Sequence, residues 1–402
     1  MMTRPGHMLT CGMVSLCVAA AATAQTAAVV RTLDTTATAG TVTDFATSDG
    51  LTLRAADGQS RTIAPRDLVW IDFAPQPIAD DPDAFCIVTA DGGRCDARLV
   101  GQDAAALVVR TRLLGERRLR LEALRGFLTP TGRRDDAATR RAWIEQPADD
   151  DAVWLANGDK LTGAIEQVAG DGLVIRSTLG ATTVQFDVLL AARWAGKPRS
   201  ATAPLRVTFA DGSRLNVQTL RFADGTWRVT AGGWDDGEHP VGVPIRRIEP
   251  LDGRWVWLDG LTPIESQQHS ATGLSLPVRH NRNVAGGPLR VGGTAFEHGL
   301  GVRSRSVLVY DLAGRFERFV ARAGLDDSAG PLADVAAEVR VDGKTVWSKK
   351  NLRPGRPPAA IDVSVGGARR LELIADYGLN ASIQDRFNWA DAALIRGASN
   401  RQ

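Results

Sequence analysis

"IVTADGGRCDARLVGQDAAALVVRTRLLGERRLRLEALRGFL", Ile87 to Leu128, decides the fold. Its apolar residues come in short alternating runs, broken at Asp91-Gly92-Gly93 and again at Gly115. A period of two belongs to half-buried strands, and an Asp-Gly step supplies the left-handed backbone of a tight hairpin. The stretch therefore reads as strand, Asp-Gly turn, strand, Gly-containing turn, then two or three more strands. Outward from it the same order recurs. "VWLANGDKLTGAIEQVAGDGLVIRSTLGATTVQFDVLLAARW" starts at Val153, "LRVTFADGSRLNVQTLRFADGTWRVTA" at Leu205, and a weaker copy, "GTVTDFATSDGLTLRAADGQSRTIAPRDLVWIDF", at Gly40. Four or five short, bent strands per copy suit small barrels of the SH3-like or Sm-like kind. We expect such units over residues 25–80, 81–128, 152–197 and 198–250, as separate small domains or a loose array. Thr129 to Asp151, charged and with two prolines, reads as a linker with one helical turn.

Bulk properties narrow the function classes. The formal net charge is +2 over 402 residues, and only five of the 48 basic residues are lysine. No basic aromatic platform accompanies the barrels, so nucleic acid is not an expected partner. Residues 1–24 carry a basic start, an apolar run and Ala22-Thr23-Ala24, the pattern of an export signal. Export to the periplasm, the cell surface or the medium is the expectation, with no transmembrane span in the mature chain. An oxidising compartment permits a Cys86–Cys95 bridge. Strand register decides between that bridge and two thiols.

No enzyme is expected. His239, His269, His280 and His298 show no metal-pair spacing, and there is no nucleophile elbow, phosphate loop or zinc helix. "WDDGEH", Trp234 to His239, has acid–base residue types but reads as a hairpin tip.

From Leu251 the texture changes. "SVLVYDL", "RFVARAGL", "AAEVRVDGKTVWS", "AAIDVSV" and "RRLELIADYG" read as strands with no helix between them, an antiparallel β-sandwich over 251–397. "QDRFNWADA" groups Gln384, Asp385, Asn388, Trp389 and Asp391, an aromatic ring among planar polar groups, which is what a pyranose needs. Trp389 either stacks on a sugar or closes the core. "GLDDSAG" places Asp326 and Asp327 in a glycine-bounded loop, which suits either a calcium ion or an Asx turn. Gly299 and Gly301 read as a tight turn into "SVLVYDL".

In this order "VWLDGLTPIES", "RHNRNVAGGPLRVGGTAFEHGLGVRSRSVLVYDL", "FERFVARAGLDDSAG", "VRVDGKTVWS", "IDVSVGGARRLELIADYG" and "QDRFNWADAALI" resemble the NPCBM family of carbohydrate-binding modules. The resemblance implies a jelly-roll-like sandwich, a glycan ligand that in some members contains galactose, and in some a structural calcium. It covers about a third of the chain. Arg303 stands where family members often carry histidine, and Asn388 where an acidic residue is common. Arg303 is expected to replace the imidazole with a two-pronged grip on hydroxyls or an acidic sugar. His298 falls at a variable family position and reads as exposed and incidental. The functional expectation is an exported, non-catalytic glycan binder. The alternatives are a scaffold contacting cell-envelope proteins and a glycoside hydrolase with an unrecognised site.

Overall fold

The computed structural model describes residues 27–397 apart from 35, 135 and 270–275. The expected signal segment, residues 1–24, lies outside the described residues. The chain divides into two compact units, Met1–Glu249 and Pro250–Gln402.

The first unit holds four copies of one five-stranded motif. The first is built from Ala27–Thr32, Ala37–Ala46, Gly50–Ala55, Ser60–Ile63 and Leu68–Phe73, and the second from Phe85–Thr89, Arg94–Gln102, Ala106–Thr111, Gly115–Arg120 and Leu124–Leu128. Asp151–Leu155, Lys160–Ala169, Gly172–Ser177, Gly180–Gln185 and Leu189–Arg193 form the third. Leu205–Phe209, Arg214–Ala223, Thr226–Ala231, His239–Pro240 and Ile245–Pro250 form the fourth. In each, strands one to four run as an antiparallel meander and strand five returns toward strand one.

Two local devices repeat with the motif. The turn between strands one and two is closed by an Asx bond. Oδ1 of Asp34, Asp91, Asn157 and Asp211 accepts the backbone N–H two residues on, at 2.9–3.1 Å. The long second strand then carries a bulge, at Val42/Asp44, Leu99/Gly101, Ile165/Gln167 and Val217/Thr219. An extra residue in one strand bends the pair and sharpens its twist, which lets so small a sheet curl over its own core.

The copies are not separate domains. Strand five of the first pairs with strand five of the fourth through Ile71 and Ile248. The fifth strands of the second and third pair through Phe127 and Ala192. All twenty strands join one sheet over one apolar core that includes Val30, Phe45, Ile87, Phe127, Phe209 and Val229. The physical reason is edge pairing: each small unit leaves strand edges with unmet N–H and C=O groups, and a neighbouring copy satisfies them.

Two further expectations change. The supposed linker is packed: helix α1 (Pro130–Arg134) and helix α2 (Ala137–Glu145) lie against the outer face of the sheet, where Ile144 is sealed beside Cys86, Val88, Leu128 and Ala191. The cysteines cannot bridge. Cys95 pairs with Ile87 and Cys86 with Asp96, so one residue of offset sends the two thiols to opposite faces of the sheet. Cys95 faces the main core and Cys86 the helices, and both are buried free thiols.

The second unit is the expected β-sandwich. One sheet runs Arg279–His280, Gly299–Val302, Phe387–Ile395, Arg318–Leu325 and Ala359–Ser364, with Trp255–Trp257 added against Phe387–Ile395. The other runs Glu265–Gln268, Ser306–Asp311, Arg370–Tyr377, Val335–Val341 and Lys344–Leu352. Every predicted strand forms, and the "VDG" hairpin turns with positive φ at Asp342 and Gly343. Phe319, Phe387, Trp389 and Leu394 meet Leu308, Tyr310, Val339 and Leu373 in the shared core.

Candidate functional site

The residues expected to hold a sugar are mostly turned inward. Trp389 is 0% exposed in the sandwich core, edge-on to Phe387 at 5.1 Å. A sealed indole offers no face to a pyranose, so of the two readings of Trp389 the core one stands. Asn388, also sealed, donates from Nδ2 to Asp326 Oδ2 at 2.7 Å. Asp385 is buried and accepts the Ser304 hydroxyl and the Asp334 N–H. Burial pushes its carboxyl up, while those hydrogen bonds and the charge of Arg303 pull the other way. Arg303 is half-buried, and its charge reaches Asp385 without an ion pair. Gln384 is exposed, with Oε1 accepting Leu332 N–H at 3.2 Å. Asp391 is half-buried at φ 46° and donates its N–H to the His298 carbonyl.

Asp326 and Asp327 do not form a cation site. Asp326 Oδ1 accepts from Asn283 Nδ2 and from Ser328 N and Oγ, and its Oδ2 from Arg290 N and Asn388. Asp327 holds the N–H groups of Gly292 and Gly293 at 2.7 and 2.9 Å. Five donors fill the Asp326 carboxylate and a backbone N–H takes each oxygen of Asp327, whereas a calcium ion needs carboxylate lone pairs turned toward it. Their role is to pin the Leu289–Phe296 ribbon onto the sandwich. The glycines are explained by the same packing. A Cβ on Gly301 would lie 2.3 Å from Arg282 O, and one on Gly299 2.6 Å from Trp389 O. Gly299–Val302 is itself a strand, and the glycines admit close backbone approach rather than a turn.

A different constellation is both half-exposed and ordered. In the short strand Trp255–Trp257, Val256 points into the core, so both indoles stand on the opposite face, edge to face at 5.5 Å. His298 stacks on Trp257 with ring centroids 4.1 Å apart and planes within 5°. Its Nδ1 lies 2.9 Å from Asp259 Oδ2, and the Asp259 side chain is only 6% exposed. Burial pushes the Asp259 carboxyl up, but the hydrogen bond and charge of His298, together with bonds from Asn281 and the backbone, hold the group below the ordinary carboxylate range. His280 donates from Nδ1 to the Asp259 carbonyl at 2.6 Å. Asn281 lies beside the Asp259 carboxylate and accepts Gly299 N–H on Oδ1. Asp259 thus orients one imidazole and an amide through its buried carboxylate and a second imidazole through its backbone carbonyl, beside a tryptophan pair. Apolar ring surface beside fixed polar edges suits a ligand with one C–H face and several hydroxyls.

The sequence reading passed over this site. His298 is neither exposed nor incidental, because the Gly299–Val302 strand carries it onto Trp257. The available signal was "WVW": alternation alone puts two tryptophans on one face of a strand.

Residues 254–395 match the family model described as the NPCBM/NEW2 domain, so the sandwich is a module of the carbohydrate-binding family that its motifs resemble. A Renibacterium salmoninarum protein named as a candidate endo-alpha-N-acetylgalactosaminidase is 27% identical over 232 residues, and the aligned stretch spans 52% of this chain and 15% of that protein. Among solved structures, the chain is similar to CBM51 from Clostridium perfringens GH95 in complex with methyl-galactose. Identity there is 21% over 35% of this chain and 99% of that one, with a TM-score of 0.32. It is also similar to the tandem CBM51 modules of a Streptococcus pneumoniae family 98 glycoside hydrolase. Here identity is 13% over 86% of this chain and 88% of that one, with a TM-score of 0.32.

Proposed function

We propose, on the premise of an NPCBM module over residues 254–395, that this protein is an exported, non-catalytic glycan binder whose sugar rests on the Trp257–His298 face. The observation that carries the reading is the half-exposed, carboxylate-anchored stack of Trp257 and His298 within that module. The pyranose lies against indole surface, and the His280 and Asn281 edges accept or donate to its hydroxyls. Galactose-containing glycans are the first ligand class to try, as the family resemblance implies. A single open face of this kind supplies about 4–7 kcal/mol, so retention on a polysaccharide draws on multivalency.

Glycan-array binding by the full chain tests this. Trp257→Ala and His298→Ala are expected to lose the signal while Arg303→Ala keeps it, all three retaining a wild-type far-UV spectrum. Unchanged binding in Trp257→Ala overturns the assignment. The name of the Renibacterium relative motivates a hydrolase assay as well. We expect no release of sugar from N-acetylgalactosaminides. "WDDGEH" supports that expectation, because Asp235 is committed to the Arg118 N–H and His239 Nε2 to the Asp235 carbonyl.

A further inference from the structure

One cluster in the repeat unit gathers arginines that form no ion pair. Arg94 and Arg214 are direct partners where the second strands of copies two and four meet. Opposed residues on antiparallel strands share a face at about 5 Å, and like charges there are destabilising. Both side chains are half-buried, as is Arg141 on helix α2, whose charge acts on both. Among the described residues, none of the three guanidiniums has a carboxylate within ion-pair distance. Arg94 Nε makes only a long 3.4 Å bond to Gly212 O, and Arg214 Nε is buried with no hydrogen-bond partner. Glu145 acts on both Arg94 and Arg214, and Glu249 on Arg214, from beyond ion-pair distance.

Arg94 and Arg141 border a cavity of about 220 Å³, lined also by Cys86, Asp96, Arg133, Asp211 and Ser213. Of the two acids that line the cavity, Asp96 is paired with an arginine and Asp211 is bound only to neutral donors of its own turn. Asp96 holds Arg133 at 2.6 Å, and Asp211 accepts both the N–H and the hydroxyl of Ser213. We infer that this cavity binds a compact oxyanion, gripped by Arg94 and Arg141. A guanidinium fork matches two oxygens of a phosphate, sulfate or carboxylate, and a partly desolvated cavity strengthens each such bond. The volume leaves room for part of the molecule that carries the group. The inference concerns the repeat unit and does not depend on the glycan reading of the sandwich.

Calorimetric titration of the full chain with inorganic phosphate, sulfate and glucuronate tests it, with glucose and with chloride at matched ionic strength as controls. Saturable binding is expected for at least one oxyanion and for neither control. Arg141→Gln, on the helix flanking the cavity, is expected to weaken it about tenfold or more. Arg94→Gln gives an outcome of opposite sign: without oxyanion it melts higher than the wild type, because the opposed pair is gone, and phosphate or glucuronate no longer raises its melting temperature. Tighter binding of glucuronate points to a group borne on a polysaccharide, and tighter binding of phosphate or sulfate to a free ion or an ester. Equal heats with chloride, or undiminished binding in Arg141→Gln, overturn the inference.

Discussion

Trp389 and Trp257 are both tryptophans of the sandwich, and they invite opposite experiments. Trp389 has no exposed surface, so Trp389→Ala deletes a buried ring and is expected to cost about 3–5 kcal/mol, read as a lower denaturant midpoint. Trp257 is half-exposed, and its truncation is expected to remove ligand binding with a much smaller stability change. Asp259 adds a pH argument. Its carboxyl is held below the ordinary range by His298, together with Asn281 and the backbone, against the push of burial. A group depressed in the folded state contributes stability that is present above its unfolded pKa and lost as pH falls through the folded one. His298→Leu removes the hydrogen bond and charge but leaves the burial. Acid unfolding of the variant, followed by near-UV circular dichroism, is therefore expected to begin at a higher pH than in the wild type. Asn388, where the chain departs from family habit, meets Asp326 rather than solvent. Its identity bears first on folding and only through it on ligand.

At the scale of elements, the segment 129–151 shows how composition misleads. It is dense in Asp and Arg, yet α2 presents Ile144 to a pocket of apolar residues. Arg133 is also tied down, donating to Ala84 O at 2.8 Å and to Asp96. Native-state trypsin is accordingly expected to leave Arg133 uncut, whereas a solvated linker is cleaved at once. Ile144→Ala is expected to cost about 2–4 kcal/mol and to open the segment to the protease. The Asx turns are the opposite case. Asp91, Asn157 and Asp211 announce their hairpins because a short polar side chain can satisfy the turn's own N–H. That bond needs no distant partner and is written in the local sequence.

For the whole molecule, the two compact units have separate cores. Scanning calorimetry is expected to resolve two transitions, with Trp389→Ala lowering one and Ile144→Ala the other; equal shifts in both would mean a single cooperative unit. The sequence by itself determined an all-β chain, four copies of one strand-and-turn motif, and a C-terminal sandwich with its hairpins. Those features rest on alternation and turn chemistry, which act between residues a few places apart. Tertiary structure alone decided that the copies share one sheet, because their edges pair across as many as 177 positions, as at Ile71 and Ile248. It also parted Cys86 from Cys95, since one step of strand register reverses a side chain's face. It decided which aromatic meets solvent too. An indole in "NWA" and one in "WVW" have the same chemistry, and burial depends on what the rest of the chain lays over each.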